Sequence, residues 1–145
     1  MKLNYHPPHL ILVHFPAALL PMDLICAALG WYTHNPSFTA AAFYALAGGV
    51  GAGWLAVAFG FLDLVRIPHE PKPVFSTALL HAGLNTCVLM GYSVLFFLEW
   101  QQPVLVSATL GVLGIKAVLL GVLMAGNYLG AQLVLKYRIG TIHEN

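Results

Sequence analysis

LILVHFPAALLPMDLICAALGWY, residues Leu10 to Tyr32, decides the fold. A helix crosses the hydrocarbon core of a bilayer with about 20 apolar residues, and this stretch meets that length with only His14, Pro16, Pro21 and Asp23 to interrupt it. Three further stretches of the same kind follow, from Thr39 to about Val65, from Phe75 to Trp100 and from Pro103 to about Leu135. Proline disfavours helix at the residue before it. The breaks carry that mark: His34-Asn35-Pro36, then Ile67-Pro68-His69-Glu70-Pro71-Lys72-Pro73, then Gln101-Gln102-Pro103.

The whole composition agrees with four spans. Of 145 residues, 59% are hydrophobic and 8% charged, against about a quarter charged in soluble domains. So short a chain has too little interior to hide that much apolar surface. A net charge of +1 argues against a nucleic-acid partner, because phosphate binding needs a basic patch. The first span is too long for the roughly 7–15 apolar residues of a cleavable signal peptide. Cys26 and Cys87 both lie in apolar segments, which predicts buried thiols, and there is no CxxCH pattern for covalent haem. No separate soluble domain and no clear internal repeat is visible.

Lys2, Arg66, Lys72, Lys136 and Arg138 all flank the spans on the side of the N-terminus, the second loop and the C-terminus, and the other two loops hold no Lys or Arg. The positive-inside rule then puts both termini in the cytoplasm. Short loops predict an all-α, up-down four-helix bundle in the lipid bilayer, with the first and third helices diagonal. The second span is crowded with small residues, including the Gly49-x-x-x-Gly53 pair. Close helix packing explains them; room for a flat cofactor is the alternative.

Ionisable residues at membrane depth are costly and point to function. His14 and His81 each lie about five residues into their helices, roughly 7–9 Å from the same end at about 1.5 Å per residue. Asp63 closes the second span at that level, Asn127 approaches it on the fourth, and Asn85 follows His81 by one turn. Two imidazoles at matched depth on co-directional helices are what six-coordinate haem b requires. This predicts His14 and His81 as ligands, with a carbonyl, a carboxylate such as Asp63 or an amide such as Asn85 orienting each ring and His9, Arg66, His69 or Lys72 near the propionates. On a regular helix His9 and His14 point about 140° apart, so one metal does not take both. A kink at Pro16, or an early helix start, would turn His9 inward in place of His14. The plain alternative is that both histidines only hydrogen-bond neighbouring helices. Zinc would need a third strong ligand, for which only Asp63 lies at the right depth. Elsewhere, Asp23 and Lys116 are expected to pair across the bundle or to form a proton path, while Glu99 is expected in solvent at the outer end.

The segments HPPHLILVHFPAALL, GFLDLVRIP, LLHAGLN and GNYLGAQLVLKYRIG resemble a family of small bacterial four-span membrane proteins catalogued as a domain of unknown function. The resemblance covers nearly the whole chain. Its pattern falls on His6 or His9, His14, Pro16, Gly60, Asp63, His81, Asn85, Gly126 and Gly130. It implies a four-helix fold, a bacterial inner membrane and a redox setting, but no substrate.

The expected function is therefore a membrane b-type cytochrome, or a haem-binding subunit of an electron-transfer assembly with bis-His ligation. Its partners would be other membrane subunits or further copies of the chain, with quinol or a redox protein as the electron partner. A cofactor-free structural or assembly subunit, and an ion or proton transporter using Asp23, Asp63 and Lys116, are the competing expectations. No nucleotide loop and no nucleophile constellation points to an enzyme.

Overall fold

Apolar side chains surround each long segment, as expected of helices that face lipid on one side and one another on the other. The computed structural model describes residues 8–65, 72–102 and 104–139. It contains α1 (Pro8–Leu12), α2 (His14–Thr33), α3 (Pro36–Leu64), α4 (Lys72–Trp100) and α5 (Leu110–Leu135), and no strand among the described residues. Pro8–Thr33, with its break at Val13, and the three later helices are each long and apolar enough to cross a membrane.

Pro16 accounts for the break. It has no N–H to give to the carbonyl of Leu12, and its ring crowds that carbonyl. Val13 itself keeps a right-handed helical conformation, φ −63° and ψ −21°, with its N–H on His9 O, and α1 packs on α3. Pro21 sits inside α2 without interrupting it. At the opposite end, Asn35 caps α3: its side chain accepts from Ser37 N at 2.9 Å, and Pro36 occupies the first turn. His34 closes α2 in the left-handed region, φ 57°, with its N–H on Gly30 O. The fourth span begins at Leu110, not Pro103, because Thr109 caps it by accepting from Val112 N.

The hairpins α2–α3 and α4–α5 join through α3 against α4 and α2 against α5, which leaves α2 and α4 diagonal. The central core is Leu20, Leu46, Val50, Val88, Tyr92, Leu95 and Leu123. Gly49 and Gly53 serve this packing: a Cβ at either would stand 2.7 Å from a side-chain atom of Leu20 or Leu89. Leucines thus fill the space that a flat cofactor would have needed there. Ile11, Phe15, Met90, Phe97 and Val118 are among the many large apolar side chains left facing outward, where lipid makes their exposure favourable.

Candidate functional site

The polar groups gather in the half of the bundle that carries the termini. His9 lies on α1 and faces α3. Its Nδ1 is 2.8 Å from the carbonyl of Ala56, and its ring lies over Gly60, where a Cβ would stand 2.8 Å from Cε1. His81 on α4 repeats the arrangement against α5. Its Nδ1 is 2.7 Å from the carbonyl of Gly126, and a Cβ at Gly130 would stand 2.7 Å from its Cε1. In each case a carbonyl holds the ring and a glycine four residues later makes room for it. This local repeat joins the two hairpins, although the sequence shows no overall duplication.

The hydrogen bonds fix the tautomers. A carbonyl oxygen only accepts, so each Nδ1 carries the proton and each Nε2 of the neutral ring presents a bare lone pair. Asn85 Nδ2 also stands 3.0 Å from His81 Nδ1, but two donors do not bond; it donates to the main-chain oxygen of His81 at 3.0 Å. Asn85 Oδ1 is buried without a hydrogen-bond partner among the described residues and lies against Gly126. The two imidazole centroids are 6.3 Å apart with ring planes at 79°.

A cavity of about 660 Å³ opens beside this pair. Its polar wall is His9, His14, Asp63, His81, Asn85 and Asn127, and the rest is mainly apolar, with Val57, Phe61 and Leu64 from α3. A second cavity of about 60 Å³ touches both histidines from the side of the core and ends against Leu20, Val88, Leu89 and Leu123. Both histidines line both spaces.

The predicted residues divide accordingly. The structure brings His9, not His14, opposite His81: beyond the break at Val13, His14 points to the exposed side of α2 and reaches only the cavity wall. Asp63 is half-buried in that wall, but the role of orienting the rings falls to main-chain carbonyls. Lys72 is exposed at the start of α4. Arg66, His6, His69 and His143 lie outside the described residues. No group of three or more His, Cys, Asp or Glu side chains converges on one point among the described residues. Cys26 is buried as expected, whereas Cys87 faces outward.

The other half holds a second polar feature. Lys116 Nζ is 2.7 Å from Asp23 Oδ1 and 2.9 Å from Glu99 Oε1. The expected Asp23–Lys116 pair is therefore present, and Glu99 joins it instead of standing in solvent. The reach of the lysine side chain explains this, since its stem spans the difference in depth. Tyr92, also fully buried, donates to the main-chain oxygen of Lys116.

Four apolar helices around two buried polar sites define a small multi-pass membrane protein. The chain belongs to the family described as predicted membrane protein DUF2231, whose model matches residues 5–143. No curated protein and no solved structure matches it.

Proposed function

We propose that this protein is a b-type cytochrome of the bacterial cytoplasmic membrane, both termini cytoplasmic, with haem held between His9 and His81. The observation that carries the reading is the pair of contacts between Nδ1 and a main-chain carbonyl, which in the neutral ring leave each Nε2 as an acceptor. Metal-binding histidines have this arrangement, because the bond at one nitrogen fixes the tautomer and orientation of the other. Two imidazoles on one metal, with bonds of about 2 Å each, have centroids roughly 6 Å apart, close to the 6.3 Å found. The porphyrin supplies four ligands of its own, so the absence of a third converging side chain among the described residues suits haem and disfavours zinc. A cavity of about 660 Å³ falls in the range of about 300–1,000 Å³ that accepts small ligands.

Bound there, haem b supplies one-electron transfer. The chain's own residues do the rest. Ala56 and Gly126 hold the two rings through their carbonyls, Gly60 and Gly130 give them room, and the apolar walls exclude water. Asp63 and Asn85 line the cavity and tune the field around it. An oxidised quinone fits less well as the occupant of the pair itself, because its carbonyl needs a donor and both Nε2 atoms are acceptors, whereas a quinol hydroxyl donates to such an atom. Quinol or a redox protein is the electron partner, and other membrane subunits or copies of the chain complete the assembly. A through-path for ions is disfavoured, since Leu20, Leu46, Val88 and Leu123 separate Asp23 and Lys116 from Asp63.

The test is the dithionite-reduced minus oxidised spectrum of the purified protein, made with ample haem. Soret and α bands with a low-spin ferric signal are expected. Their absence would overturn the reading.

A further inference from the structure

Two carboxylates and one ammonium meet in the half of the bundle opposite the termini. Fully ionised, Asp23, Lys116 and Glu99 sum to one negative charge. Asp23 has 0% exposure and Lys116 1%, while Glu99 keeps 29%. Asp23 Oδ1 receives the ammonium, but Oδ2 is buried with no hydrogen-bond partner in the described structure. A half-bare carboxylate in an apolar interior is far costlier than a neutral carboxyl group. The nearby groups do not relieve it. From α4, the Tyr92 hydroxyl is committed to the main-chain oxygen of Lys116; Cys26, one turn along α2, packs among Ala27 and Ala42; and the buried residues of α3, Ala42, Phe43 and Leu46 among them, include no titratable group.

We propose that Glu99, Lys116 and Asp23 form a proton-binding site that loads from the loop end of the bundle and stores one proton on Asp23. Glu99 sits in the last turn of α4, beside exposed Gln101 and Gln102, and is the member that meets water. A proton taken up by Glu99 moves on in one balanced exchange. An N–H of Lys116 breaks as an O–H forms on Asp23, and the nitrogen lone pair so freed takes the proton as the O–H of Glu99 breaks. Lys116 ends as it began, and the cluster becomes neutral. The site is closed on its far side by Leu20, Leu46, Val88 and Leu123. It therefore binds a proton without passing it to the histidine half. This inference does not rest on haem binding.

Infrared difference spectroscopy on the full chain in lipid vesicles, titrated with acid, tests it. A carbonyl band of a protonated, buried carboxyl group, sensitive to deuterium exchange, should grow as pH falls. Asp23→Asn should abolish it, Asp23→Glu should keep it at a shifted frequency, and Glu99→Gln should slow its appearance after a pH jump. His81→Ala should leave it unchanged, which separates this site from the haem reading. If Asp23→Asn does not fold, the frequency shift in Asp23→Glu decides. No such band in the folded wild type, or a band unmoved in the Asp23 variants, overturns the proposal.

Discussion

The two halves of this bundle accommodate polar groups at membrane depth in opposite ways. In the terminal half, imidazoles bond through Nδ1 to main-chain carbonyls and border a cavity of about 660 Å³. In the loop half, one ammonium stands between two carboxylates inside close packing, with Lys116 and Asp23 almost wholly enclosed. A neutral ring with one satisfied nitrogen can stand beside open space, because its second nitrogen tolerates or takes a ligand. A buried ammonium has no such freedom and must be surrounded by acceptors. The first half thus carries open space beside its polar groups, and the second carries charges inside close packing.

The strongest challenge to that contrast is removal of a ring. His9→Ala and His81→Ala should each abolish six-coordinate haem, whereas His14→Ala should retain it, read as haem per protein and the low-spin ferric signal. Equal haem in all three variants would dissolve the distinction between an inward His9 and an outward His14.

The loop half should answer in stability. Lys116→Ala leaves Asp23 buried without its ammonium, a change that costs about 3–5 kcal/mol for a broken buried pair. Thermal unfolding in detergent should drop sharply, and the double change Asp23→Leu with Lys116→Met should recover most of the loss. A single Lys116 variant as stable as wild type would mean that the charges are not held as the geometry implies.

Gly60→Ala and Gly130→Ala sharpen the comparison by separating local helix preference from site geometry. Alanine favours a helix over glycine by roughly 1 kcal/mol, yet its methyl would press on a histidine ring. Helix content should hold or rise while haem affinity falls about tenfold, near 1.4 kcal/mol. Retained affinity in both variants would show that the rings are not held against the glycines.

The smallest effect links the halves. Tyr92, bonded to the Lys116 main chain, lies 11 residues beyond His81, about 16 Å along α4 at helical rise. One charge at that distance and an effective dielectric of about 20 contributes about 1 kcal/mol, or roughly 45 mV for one electron. The proton adds positive charge and stabilises the reduced haem, so the midpoint potential should rise as pH falls. A potentiometric titration of wild type against Asp23→Asn checks this, and an identical pH slope in the two would remove the coupling.

What was readable from residues alone follows from local chemistry. Apolar length determines spanning helices whatever their neighbours, so all four spans were legible, and the depth of His81 followed from counting residues. Asp23 and Lys116 announced themselves because lone charges in hydrocarbon need a partner. His9 shares the helical face of the buried Pro16, Leu20, Asp23 and Ala27, and a span begun at Leu10 leaves it just outside. Tertiary structure decided the rest. The glycines that hold the rings sit on helices distant in sequence, and carbonyls of Ala56 and Gly126 carry no side-chain signal at all. Glu99 looked solvated because its position near a helix end is local, whereas the lysine that reaches it comes from another helix. Spanning is a property of one segment; facing is a property of two.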